Sequence, residues 1–178
     1  MFKYDFNGDM NEASPLMFLG RLDKVKGLHT AITAALKTNH KLIIGGNIPT
    51  TDDNYQYYKT EIEPLFDNEQ IVYVGELNDE EKNRYLRQSK ALLFPIEWEE
   101  PFGIVMVEAM ACGTPVIGFK RGAVPEVVDE GITGYIVNDL EGMINAINRI
   151  DKIDRLKCRE RAEERFGSAK IAKDYLNI

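Results

Sequence analysis

Cysteine, histidine and tryptophan are scarce in this chain, with two, two and one in 178 residues. Neither Cys112 nor Cys158 belongs to a CxxC or a Cys/His cluster at metal-ligand spacing, which argues against a zinc module and a disulfide framework. Both read as reduced thiols, and Cys112, inside the apolar run AMAC, reads as a packed core residue. His29 and His40 have no histidine or cysteine at ligand spacing either, so a metal site is not expected. Basic charge is in deficit: a net charge of −7 and a pI near 5.0 leave no basic stripe for a phosphate backbone, and no nucleic-acid partner is expected. The acidity itself reads as a solubility device. No signal peptide opens the sequence, and no apolar run approaches the ~20 residues that span a bilayer, so a soluble, cytoplasmic protein is expected.

What is present is an alternation of short apolar runs with helical patterns, the mark of a parallel sheet flanked by helices. Strands are predicted at 16–19, 41–44, 71–74, 91–94, 115–119 and 135–137, and helices at 27–37, 53–66, 79–88, 102–112 and 125–129. The length suits one domain. The expected fold is α/β: a Rossmann-like, doubly wound, six-stranded parallel sheet with helices on both faces and a helical C-terminal tail. The turn-rich stretch 1–15 reads as a linker. Beyond residue 139 the pattern is helical and charged, and its last part, 153–178, either packs on its own sheet or reaches to another domain. Two nucleotide signatures are missing. The first strand leads into GRLDKVKG rather than GxGxxG, which removes the main support for a dehydrogenase, and no GxxxxGK[ST] phosphate loop occurs.

The candidate chemistry lies at the carboxyl ends of the strands, where open parallel sheets bind ligands. The first strand ends in Gly20 and Arg21, and Lys26 precedes the next helix. Arg21 can fork onto two phosphate oxygens while Lys26 supplies a mobile point charge, a pair that suits a diphosphate; as loop cations they equally suit a solvated surface. The fourth strand leads into the acidic loop IEWEEP, with Pro101 near the first turn of a helix. Glu100 then sits just before that turn. Phe102, Gly103, Ile104 and Val105 would present free amides at the positive end of the helix dipole, with Gly103 admitting a ligand close to the backbone.

Glu108 lies farther along the same helix, displaced from Gly103 by roughly 7 to 8 Å, about the length of a diphosphate bridge. Each carboxylate can accept hydrogen bonds from hydroxyls at one end of a ligand whose phosphates rest on the amides between. A nucleotide sugar is such a ligand. The competing reading makes Glu100 a helix-start charge and Glu108 a surface residue, although Glu108 interrupts the apolar run IVMVEAMAC, where a carboxylate needs a partner or a ligand. Trp98 either walls a sugar pocket or covers the loop. Asp52, Asp53 and Asn78 read as helix caps.

These stretches resemble the C-terminal half of the GT-B-fold glycosyltransferases of family 4, the group 1 retaining transferases. The likeness runs in order through FLGRLDKVKG (18–27), IVYVGEL (71–77), the EX7E motif EPFGIVMVE (100–108) and AMACGTPVIGFKRGAVPEVVDEGITGYIV (109–137). The resemblance implies that Arg21 and Lys26 hold the donor diphosphate and stabilise the departing charge, so that with Glu100 they count as catalytic. It implies that Gly20, Phe102, Gly103, Ile104 and Val105 help to bind the nucleotide sugar, that Glu108 binds the ribose, and that Gly75, Glu76 and Leu77 meet the base. It further implies a UDP or GDP sugar as substrate, no cofactor or bound metal, and hexosyl transfer to an acceptor hydroxyl with retained anomeric configuration.

On the same resemblance, 1–15 is a linker from an N-terminal domain, 16–152 is the nucleotide-sugar-binding domain, and 153–178 are helices that can contact the N-terminal domain. That further domain would carry the acceptor site for a glycan, lipid or small molecule, and the full-length enzyme can associate peripherally with a membrane. The isolated domain is expected to bind donor without turning it over. The alternative is a stand-alone, non-catalytic nucleotide-sugar-binding or interaction module; a sugar-nucleotide epimerase is disfavoured by the EX7E motif.

Overall fold

The computed structural model of the chain describes residues 10, 11, 13–50, 52–167 and 170; most of the expected linker and the end of the expected tail lie outside the described residues. Six strands, β1 (Leu16–Leu19), β2 (Leu42–Gly45), β3 (Ile71–Tyr73), β4 (Leu92–Phe94), β5 (Val116–Phe119) and β6 (Gly134–Val137), form one sheet in the order β3-β2-β1-β4-β5-β6. Every pairing is parallel. β1, β2, β4 and most of β5 are buried along their length, because helices cover both faces and leave no side for alternation to show. The predicted strands are all present, with ends displaced by no more than one residue.

Between the strands run α1 (Leu28–Lys37), α2 (Asp52–Tyr57), α3 (Asp79–Gln88), α4 (Ile104–Ala111) and α5 (Val124–Val127), followed by α6 (Leu140–Ile147) and α7 (Arg155–Phe166). α1 turns Leu28, Ala31, Ile32, Ala34 and Ala35 inward at helical spacing. Asn78 caps α3 reciprocally: its side chain accepts from the Glu81 amide at 3.0 Å, and the Glu81 carboxylate accepts from the Asn78 amide at 3.0 Å. Two predicted helices differ from expectation. The stretch 53–66 is α2, a π turn over Tyr58–Ile62 and a 3₁₀ turn over Glu63–Leu65, since Pro64 has no amide to continue the ladder. The helix expected from residue 102 starts at Ile104, because Gly103 has φ +69°, a left-handed conformation that stands outside a helix. Pro101 therefore precedes the helix rather than opening its first turn.

α7 packs on α4 and fastens the helical layer through its arginines. Arg155 donates to the carbonyls of Ser89 at 2.7 Å and Arg87 at 3.1 Å and to the Thr114 hydroxyl at 2.8 Å. Arg159 reaches the Ala111 carbonyl and Arg165 the Val127 carbonyl, so guanidinium groups meet the C-terminal ends of α3, α4 and α5, where orphan carbonyls and the dipole favour a cation. Among the described residues no helix is long and apolar enough to cross a membrane.

Cys112 and Cys158 are both free and buried. Burial pushes both thiols, and the phenols of Tyr57 and Tyr58, up to about 12. The folded state thus keeps protons that an unfolded chain releases near pH 9.0 for thiols and 10.0 for phenols. This stabilisation is complete below pH 9.0 and is lost as pH rises toward 12. The urea midpoint is expected to fall across that window, with neither thiol accessible to an alkylating reagent at about pH 8. Fast labelling of either cysteine in folded protein would contradict this packing.

Candidate functional site

The strand order places a topological switch between β1 and β4: the chain leaves β1 toward β2 on one side and leaves β4 toward β5 on the other. The two departing loops diverge and open a crevice at the carboxyl end of the sheet. After β1, Leu22 is fully buried and pins the loop, and the nearly buried Asp23 holds the exposed Arg21 guanidinium at 2.8 Å. A 3₁₀ turn over Lys24–Lys26 then delivers Lys26, and Gly27, at φ +72°, turns the chain into α1.

Gly27 has a second function. A Cβ built there would lie 2.0 Å from the carbonyl oxygen of Pro95, so only a glycine lets the loop after β1 touch the loop after β4. The Glu97 amide seals the contact by donating to the Val25 carbonyl at 2.8 Å. The approach brings Lys26 Nζ to Glu100 Oε2 at 2.5 Å, with 17% and 14% of the two side chains exposed. Trp98 completes the arrangement: its Nε1 donates to the same Glu100 oxygen at 3.1 Å, and its ring lies 5.1 Å from the Lys26 ammonium. From behind, the loop after β5 braces the acidic loop, with the Ala123 amide donating to the Glu100 carbonyl at 2.9 Å and the Gly122 amide to the Glu99 carboxylate at 2.7 Å.

An open cleft, about 530 Å³ with its solvent side included, is lined by Phe18, Leu19, Gly20, Arg21, Lys26, Phe94, Glu100, Gly103, Ile104 and Val105. Among the described residues the amides of Ile104 and Val105 donate to no protein acceptor, and α4 carries no side-chain cap. Two cations and the positive end of a helix therefore converge on one space, an arrangement that attracts anionic oxygens.

Of the other predicted site residues, Phe102, Gly75, Glu76, Leu77 and Glu108 do not line this cleft. Phe102 is half exposed and meets Phe166 edge-on at 6.1 Å. Gly75, Glu76 and Leu77 form the loop between β3 and α3, where Leu77 lies over the ends of β2 and β1: a Cβ on Gly45 would meet it at 2.7 Å and Leu19 at 3.2 Å. Glu108 is buried, and its Oε1 accepts from Lys82 of α3 at 2.9 Å. The burial that marked this carboxylate as needing a partner or a ligand is thus met by a lysine. Burial works against the charge on Lys82, but the hydrogen bonds it donates to Asp79 and Glu108, with their negative charge, outweigh it and the net displacement is upward. Sequence reading missed Lys82 because it lies in another helix; the only signal was an unpartnered acid in an apolar run. Among the described residues no group of three or more His, Cys, Asp or Glu side chains gathers as metal ligands would.

A sequence profile of the family "Glycosyl transferases group 1" matches residues 6–169. The chain belongs to the group 1 glycosyl transferases. It is 29% identical to spore coat protein SA of Bacillus subtilis over 179 residues, covering 92% of this chain and 48% of that one. Sucrose-phosphate synthase from Thermosynechococcus elongatus is 28% identical, with a TM-score of 0.78 over 92% of this chain and 44% of that chain. HepE from Anabaena, solved in complex with UDP-glucose, shares the fold at 22% identity and a TM-score of 0.75, over 94% of this chain and 50% of that one. This group 1 chain spans about half the length of the curated relatives it matches.

The loop contact at Gly27 gives a direct test on stability. Gly27→Ala is expected to cost about 2 kcal/mol or more, combining the left-handed penalty with a backbone clash. Gly131, at φ +75° with nothing within 4 Å of its built Cβ, is the control and should lose only about 1 to 2 kcal/mol on the same change. Equal losses in urea denaturation would mean that the approach to Pro95 places no constraint on residue 27.

Proposed function

We propose that this chain is the donor-binding half of a retaining hexosyltransferase, which moves a sugar from a UDP or GDP sugar to an acceptor hydroxyl. The observation that carries this reading is the convergence of Arg21, Lys26 and the free amides of Ile104 and Val105 on the switch-point cleft. A nucleotide sugar presents two phosphates between hydroxyl-bearing ends, and the cleft offers positive charge flanked by the Glu100 carboxylate. HepE, crystallised with UDP-glucose on the same fold, lends support from outside.

In this reading Arg21 and Lys26 neutralise the diphosphate as the bond to the anomeric carbon breaks, and the α4 amides stabilise the same developing charge. Lys26 has three protons and spends one on Glu100, which leaves donors for phosphate oxygens while the ion pair persists. Glu100 holds the donor sugar. Glu108, on the face of α4 toward α3, takes the ribose hydroxyls, with the base at the 75–77 loop. Departure and attack then occur on one face of the sugar, so no protein nucleophile is required. The cations and the helix end supply positive charge without a bound metal. The acceptor site belongs to a further domain, and peripheral association with a membrane is a property of the longer protein.

Calorimetry of the chain with UDP, GDP and ADP sugars tests the reading: one nucleotide series should bind at or below millimolar concentration. Arg21→Ala and Glu108→Gln should each weaken it by roughly 1 to 3 kcal/mol, the range for hydrogen bonds to charged groups. No binding by any series in folded protein, or unchanged affinity in both variants, would remove the assignment.

A further inference from the structure

Glu100 is anchored through one oxygen only. Oε2 receives both Lys26 Nζ at 2.5 Å and Trp98 Nε1 at 3.1 Å, while Oε1 has no partner among the described residues, although the side chain is only 14% exposed and lines the cleft. Oε1 therefore keeps its acceptor capacity for water or for a ligand hydroxyl. Trp98 itself does not line the cleft. Its N–H meets Glu100 from outside that lining, with its ring near Lys26.

We propose that Trp98 is a positioning residue that sets the rotation of the Glu100 carboxylate, so that Oε1 faces the cleft and accepts a hydroxyl of the transferred sugar. This inference rests on the donor-binding reading above. Lys26 alone cannot fix that rotation, because an ammonium is a point charge on a flexible stem that tolerates many carboxylate orientations. An indole N–H is a single directional donor on a rigid ring, and donors aimed at an ionised acceptor make the stronger hydrogen bonds. The arrangement separates two tasks: Lys26 shares its charge with the diphosphate, and Trp98 keeps the acid aimed at the sugar. The sequence alternatives for Trp98, a wall of the sugar pocket or a cover for the loop, both gave the ring the active part; here the N–H has it.

The test is the affinity gained by adding the sugar to the nucleotide. UDP against UDP-glucose and GDP against GDP-mannose are titrated calorimetrically into the wild-type chain and into Trp98→Phe, which keeps a ring beside Lys26 and deletes the N–H. Trp98→Phe should hold nucleoside diphosphate affinity within about twofold and lose about tenfold for the matching sugar nucleotide, as expected for one hydrogen bond to a charged acceptor. Thermal unfolding of both proteins checks that the fold is intact. An equal loss for diphosphate and sugar nucleotide, or no loss for either, overturns the positioning role while leaving the donor site standing. Binding of neither series to the wild type removes the donor site and this inference together.

Discussion

The site depends on one ion pair between two loops that the sequence keeps far apart. Lys26 and Glu100 meet at 2.5 Å, mostly removed from solvent, because Gly27 lets the turn before α1 lie against Pro95. Half-burying two charges costs solvation, and their attraction offsets that cost only where the geometry is good and the remaining protons and lone pairs find partners. The Trp98 N–H meets part of that requirement, as does the nearby ring face. Both side chains line the cleft, and their remaining capacity, the other protons of Lys26 and Oε1 of Glu100, suits an anionic ligand that also carries hydroxyls.

Everything around the pair holds this geometry. The switch in strand order opens the crevice, the loop after β5 props the acidic loop from behind, and α4 begins where Gly103 turns left-handed. A Cβ on Gly103 would meet Met106 Cε at 2.7 Å and Phe94 Cζ at 3.1 Å, so the residue that starts the helix also fits a tight space beside the cleft. More distant, the arginines of α7 tie the C-terminal ends of α3, α4 and α5 together, which fixes the axis along which α4 presents its free amides.

Much of the fold was readable from sequence because its signals are local. Buried parallel strands such as LMFL and LIIG are continuous apolar runs, and Asn78 with Glu81 announces the start of α3 by spacing alone. The α2 region departs from one regular helix because Pro64 interrupts the ladder, and α4 starts later than Pro101 suggests because the left-handed Gly103 sets its first turn. In the site, strand ends located Arg21, Lys26 and Glu100. The partners that hold two of the acids were not legible: Lys82 comes to Glu108 from a separate helix, and Trp98 lies close in sequence but acts through the direction of one N–H. Contacts of that kind are properties of packing, which composition and periodicity do not encode.

The most direct test of the account is a crystal structure of this chain with a bound nucleoside diphosphate, UDP or GDP. The distal phosphate is expected to accept from Lys26 Nζ and from the amides of Ile104 and Val105, with Lys26 still touching Glu100 and Arg21 on the same anion. A diphosphate seated elsewhere on the sheet, or one in this cleft that neither cation touches, would contradict it.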